Sequence, residues 1–205
     1  MFVISIAALK HNTAILRQVK EAANCRLVLA LKGFSCWKTF PYLREDLDGC
    51  CASGGWEARL AHEHFQKHVL TYSPAYDEAE VAELCGFTDH LDFNSLSQWR
   101  RFREQVMAHP RFRRGELQCG LRVNPECSTG ATPLYDPCVP GSRLGITADQ
   151  LATAVMKNVL GSIVTGTANA LGQVGSTAGA ASLEKTKEAA KKAGDSIKKL
   201  FGGKP

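Results

Sequence analysis

The chain has 205 residues, 44% of them hydrophobic and 22% charged, with a formal net charge of +5. That composition excludes a disordered or collagen-like polypeptide and allows one domain with a sizeable core plus an appendage. It also gives no reason to expect a nucleic-acid partner. Residues 1–150 hold 17 basic and 17 acidic side chains, so the charge belongs to residues 151–205, with eight lysines against Glu184, Glu188 and Asp195.

In chain order, Phe2 to Ile6 is predicted as a short strand. Ala8 to Ala23 is predicted as an amphipathic helix with Leu9, Ile15, Leu16 and Val19 near one face. Arg26 to Leu31 is apolar on both faces, as a strand buried in a parallel sheet must be. Lys32 closes that strand and Gly33 follows. A lysine there stands at the mouth of the sheet, where α/β folds place their chemistry. Apolar surroundings disfavour its charged form and leave more of the free amine that forms a Schiff base. The same residues also suit a strand-end lysine that snorkels to water.

Trp37 to Arg44 reads as helical, with Pro41 marking a break near its start. Gly49 to Ser53 is a short strand running into Gly54-Gly55, and Trp56 to Phe65 a helix that buries Ala58, Leu60 and Ala61. His68–Tyr72 and His90–Phe93 are strands. Between and after them come helices over Asp77–Cys85, capped by Asp77, and Ser95–Ala108, with Ser95 as cap and Gln98 in the capping-box position. Leu117 to Val123 is a further buried strand, ending at Asn124-Pro125. Strands alternating with helices of this length imply parallel βαβ units. Five strands with polar or Gly/Pro-marked carboxyl ends suit an incomplete (β/α) barrel, although periodicity does not separate that from a doubly wound sheet. Residues 125–147 form a long loop at a strand's carboxyl end, a place where loops usually serve function.

After residue 149 the character changes, so residues 1–149 are taken as one portion and 150–205 as an unrelated tail. Val159 to Ala181 is uncharged and Gly-rich, a poor helix, a poor strand and a weak membrane span. From Ser182 a Lys-rich amphipathic helix is predicted, read as solvated, with no membrane contact expected. The eight cysteines include no CxxC pair, and Cys50-Cys51 are adjacent. This suggests a reducing, cytoplasmic compartment and no metal site. The amino terminus has no basic n-region of a signal peptide. His62, His64 and His68 read as surface histidines.

Six segments carry a resemblance: LALKGFSCW at 29–37, LDGCCASGGWEARL at 47–60, TYSPAY at 71–76, DFNSLSQ at 92–98, LRVNPE at 121–126 and DPCVPGSRLGI at 136–146. In order and spacing they resemble carboxynorspermidine decarboxylases, bacterial polyamine enzymes of the alanine-racemase-like pyridoxal-phosphate barrel class. The resemblance implies an incomplete (β/α)8 barrel that uses pyridoxal 5'-phosphate. Lys32 resembles the catalytic lysine that binds this cofactor, which acts as the electron sink when carbon dioxide leaves. Arg122 resembles the arginine that approaches the cofactor from the barrel wall, where its guanidinium donates to the ring's phenolic oxygen; a barrel-end salt bridge is the competing explanation. Asn94, Ser95 and Ser53 also lie at strand ends, where helix capping already accounts for them.

The resemblance stops near Ile146, about half of the family's length. It therefore implies decarboxylation of carboxynorspermidine or carboxyspermidine in polyamine biosynthesis by a truncated, weakly active or inactive form. The family's homodimer and its small carboxylated polyamine substrate are expected with it. The alternative is a non-enzymatic pyridoxal-phosphate-binding or interaction fragment whose basic tail docks a partner or a membrane surface.

Overall fold

The computed structural model describes residues 3–127, 132 and 136–157. The chain divides into two units, Met1–Arg122 and a second beginning at Val123. The predicted features of Val159–Ala181 and of the helix from Ser182 lie outside the described residues.

The first unit is a five-stranded parallel sheet with the strands in sequence order. They are β1 (Val28–Ala30), β2 (Gly49–Ala52), β3 (His68–Ser73), β4 (His90–Phe93) and β5 (Gln118–Leu121). A doubly wound sheet reverses direction at a switch point, and sequential order has none. Right-handed crossovers then carry every connecting helix to the same face, as in a barrel wall. The helices are α1 (Ile6–Ala23), α2 (Phe40–Leu43), α3 (Gly55–Leu60), α4 (Glu78–Phe87), α5 (Leu96–Ala108) and α6 (Pro110–Arg113). A 3-10 turn, Trp37–Thr39, leads into α2, and a π turn, Ala61–Phe65, extends α3.

The two sheet faces differ as the parity of the residues requires. Cys50, Val69, Thr71, Leu91 and Phe93 point into the helix layer and are at most 1% exposed. They pack with Ala58, Phe65, Val81, Leu84, Phe102 and Val106 into one core. The opposite parity holds Ala30, Cys51, Tyr72, Asp92 and Gly120, of which Ala30 is exposed and the others are half-buried or less covered than the core face. That second face is the inner wall of the incomplete barrel.

Local signals mostly behave as the sequence leads one to expect. Asp77 accepts the Glu80 amide at 2.8 Å and Ser95 accepts that of Gln98 at 3.1 Å, so both cap their helices. The Gln98 side chain reaches back, accepting the Asn94 amide at 2.6 Å. Gly49 is forced: a Cβ there would lie 2.1 Å from the His68 carbonyl oxygen across the β2–β3 pairing. Asp48 ties α1 to the sheet, accepting from Lys20 Nζ and from the Leu27 amide, each at 2.9 Å. Those bonds hold its carboxyl below the usual range, the lysine contributing most.

Two expectations near the amino terminus fail, and the single strand predicted over Leu117–Val123 divides at Arg122 into β5 and a strand of a second sheet. Residues 3–5 form no strand; Ser5 instead accepts the Ala8 amide at 3.2 Å and starts α1 at Ile6. A cap satisfies otherwise unpaired helix amides, and this outweighs the weak strand tendency of so short a run. On α1, Leu9 packs against the core but Ile15, Leu16 and Val19 are 42–53% exposed, so that face is not buried within the described residues. Among the described residues no helix is long and apolar enough to cross a membrane.

The second unit begins with a short parallel pair, β6 (Val123–Asn124) with β7 (Ile146–Thr147). Residues 148–157 that follow are helical. The Asn124 side chain accepts the Glu126 amide at 2.9 Å, closing an Asx turn as the chain leaves β6.

Candidate functional site

The inner face of the first unit gathers its polar side chains toward the carboxyl ends of the strands. Lys32 lies in a tight turn after β1, closed by the Gly33 and Phe34 amides donating to the Ala30 carbonyl at 3.0 and 3.2 Å. Its neighbour Leu31 is buried in the core at 2% exposed, so parity sends Lys32 to the inner side. The apolar enclosure expected around this lysine is absent from the described residues, because Lys32 is exposed. The physical reason is the open sheet: β1 is an edge strand whose inner face has no opposing wall in the first unit.

Cys51, on β2, lies within electrostatic reach of Lys32. Burial pushes its thiol up, the Lys32 charge pulls it down, and Asp92 raises it again. Its neighbour Cys50 points the other way, into the core, where burial pushes the thiol up to about 12. Cys50 is thus a small neutral hydrophobe, and all eight cysteines are free.

Asp92 and His90 form a pair on β4, with Nε2 and Oδ1 3.0 Å apart. Desolvation raises the Asp92 carboxyl above its usual value and His90 partly offsets this. Gly120 on β5 makes room for the pair, since a Cβ there would fall 2.0 Å from Asp92 Oδ1 and 3.0 Å from His90 Nε2.

Arg122 follows β5 directly, its amide donating to the Phe93 carbonyl at 2.9 Å. Its guanidinium stacks over the Tyr72 ring, with Cζ 4.7 Å from the centroid. This contact reaches across β4 to β3, toward the middle of the sheet. Tyr72 in turn donates from its hydroxyl to Asn94 Oδ1 at 2.6 Å. Among the described residues Arg122 makes no ion pair, and its guanidinium lies against the Tyr72 ring.

Of the residues singled out from the sequence, Lys32 and Arg122 share this face, on opposite edges of the sheet. Ser95 is a helix cap, as expected. Ser53 and Asn94 are not caps: Gly54 precedes α3, the Ser53 amide donates to Glu57 at 2.7 Å, and Asn94 holds Tyr72. Tyr72 was not a sequence candidate, although its parity opposite to that of Val69 and Thr71 in β3 was a usable signal. His62 and His64 stack on Phe87 and Trp37, with ring centroids 4.8 and 4.6 Å apart. Among the described residues no group of three or more His, Cys, Asp and Glu side chains is placed to hold a metal ion.

No protein-family model matches the chain. It is similar to the carboxyaminopropylagmatine decarboxylase of Synechocystis sp., 41% identical over 160 residues, which is 78% of this chain and 40% of that protein. It is 37% identical over 147 residues to the carboxynorspermidine/carboxyspermidine decarboxylase of Campylobacter jejuni, covering 72% of this chain and 36% of the relative. The corresponding protein of Herminiimonas arsenicoxydans is 34% identical over 144 residues. Among solved structures, carboxynorspermidine decarboxylase from Campylobacter jejuni, complexed with norspermidine, superposes with a TM-score of 0.58 at 34% identity, over 71% of this chain and 35% of that one. The chain therefore spans well under half the length of the curated relatives it matches.

Proposed function

We propose that this chain, whose N-terminal part is homologous to the carboxy(nor)spermidine decarboxylases, carries the lysine-bearing part of a pyridoxal-phosphate-dependent decarboxylase acting on carboxynorspermidine or carboxyspermidine in polyamine biosynthesis. The observation that carries the reading is the pairing of a primary amine and a guanidinium on one open sheet face, on a chain with these relatives.

The donor set fits the cofactor. Lys32 brings a nucleophilic amine and Arg122 a cation with several N–H donors, which suit an aldehyde and a phenolic oxygen respectively. They flank the first and the last strand of the five-stranded sheet. When bound, pyridoxal phosphate supplies the electron sink for the charge left as carbon dioxide departs.

The rest is the work of this chain's own side chains. Lys32 Nζ is the amine that would hold the cofactor's aldehyde carbon. Arg122, leaning inward over Tyr72, presents its N–H groups to the middle of the face, where they would donate to the cofactor's phenolic oxygen. Asp92 with His90 lines the floor of the same face.

The proposal assigns residues 1–149 to the barrel and keeps 150–205 as a separate tail, on the change of composition there. A homodimer and a cytoplasmic location extend the same reading, the second supported by eight free thiols. Because the match covers 36–40% of the relatives' length, the isolated chain is proposed to turn over slowly or not at all.

The test is a titration of the full chain with pyridoxal phosphate, followed by its visible absorbance, beside Lys32→Ala. Saturable uptake with a band that the variant lacks supports the reading. Equal spectra for the two proteins, with both folded by circular dichroism, refute it.

A further inference from the structure

The inner face contains a chain of contacts that stands behind Arg122. The first turn of α5 holds Asn94, whose amide donates to Gln98 Oε1 at 2.6 Å. Asn94 Oδ1 accepts the Tyr72 hydroxyl, also at 2.6 Å. The Tyr72 ring then carries the Arg122 guanidinium, 4.7 Å from its centroid. Three strands and a helix terminus thereby converge on the direction of one side chain. An arginine at a strand end otherwise samples many rotamers, and holding it to one has an entropic cost. A stacked, hydrogen-bonded phenol offsets that cost before any ligand arrives.

We infer that Tyr72 and Asn94 are positioning residues for Arg122: the phenol ring aims the guanidinium at the centre of the sheet face, and Asn94 locks the phenol. The inference rests on the proposed cofactor site, of which Arg122 is part. Tyr72 is suited to the task by where it stands. It lies on β3, the middle strand, and its register partner on β4 is Asp92, so its ring occupies the floor between Arg122 on one edge and Lys32 on the other. An aliphatic side chain fills the same space but offers no negative ring face to a cation.

The experiment measures pyridoxal phosphate affinity of the full chain by tryptophan fluorescence, and the fraction of Lys32 trapped by borohydride, for a set of variants. Tyr72→Leu removes the ring face and is expected to weaken binding about fivefold. Tyr72→Phe and Asn94→Ala each delete the same hydrogen bond from opposite ends. Each is expected to weaken binding about threefold, and the double variant no further than either single one. These two keep ring or backbone in place, so they remain informative if Tyr72→Leu does not fold.

A purely structural role is separated by repeating Tyr72→Leu and Tyr72→Phe with Arg122→Met. The inference expects the losses at Tyr72 to vanish when no guanidinium remains to be aimed. Losses that persist undiminished in that background overturn it, as do wild-type affinities for Tyr72→Phe and Asn94→Ala. Absence of cofactor uptake at Lys32 in the wild type overturns the proposed function as well, whereas normal wild-type uptake with indifferent Tyr72 variants overturns only this inference.

Discussion

Gly120→Ala is the sharpest test of the inner face, because a single methyl group must displace a polar pair. The added Cβ would sit 2.0 Å from Asp92 Oδ1 and 3.0 Å from His90 Nε2. Ordinary contact needs more than 1 Å of extra room at the carboxylate, so either β4 and β5 separate or the Asp92 side chain rotates. Rotation is the cheaper course, and it gives up the 3.0 Å contact with His90. Losing a hydrogen bond to a charged group in a half-buried setting costs about 2 kcal/mol, within the range for overpacking. With an unfolding slope of about 1.5 kcal/mol/M in urea, the midpoint falls by roughly 1.3 M. All three tryptophans, Trp37, Trp56 and Trp99, lie in the first unit, so their fluorescence follows that unit's unfolding. Removing the obstacle should undo the damage: Gly120→Ala combined with Asp92→Ala is expected to cost clearly less than the sum of the two single changes. An unchanged midpoint for Gly120→Ala, or strict additivity in the pair, refutes the packing argument.

Other consequences are as direct. Phe93 is 1% exposed and packs edge-on or tilted against Tyr76 and Trp99, so Phe93→Ala is expected to cost about 3–5 kcal/mol in urea unfolding. The lowered Asp48 carboxyl adds stability that is present above its unfolded value of 3.8 and is lost as pH falls through its lower folded value. With 27% of that side chain exposed, screening holds the effect to about 1 kcal/mol. Asp48→Asn should therefore be less stable than wild type at pH 7, and the two unfolding curves should converge below pH 3.8; a gap that widens in acid contradicts the linkage.

The order of strands and helices was legible because each boundary carries its own chemistry. Asp77 and Ser95 announce helix starts, and the β-favouring residues at 68–72 and the alternation of polar and apolar residues at 90–93 suit strands with one face on a core. Strand order was not legible, since doubly wound and barrel arrangements bury the same alternating pattern. The amino-terminal error has a clear origin: four apolar residues in five suggest a strand, while the serine among them decides for a helix. At the site, Lys32 could be placed at a strand end but its exposure could not, because exposure depends on which strands oppose it. Tyr72 was missed since an aromatic within a strand reads as core. Its face is decided by register with β4, and its partner Arg122 is 50 positions away along the chain.

The central claim is that Lys32 is the amine that takes up pyridoxal phosphate. The direct measurement is peptide mapping by mass spectrometry after the full chain is mixed with the cofactor and reduced with borohydride. The account predicts a phosphopyridoxyl group on the peptide containing Lys32, lost in Lys32→Arg, and little label on the seven lysines from Lys185 onward. Label spread evenly over the lysines, or concentrated in residues 185–204 with Lys32 unmodified, contradicts it.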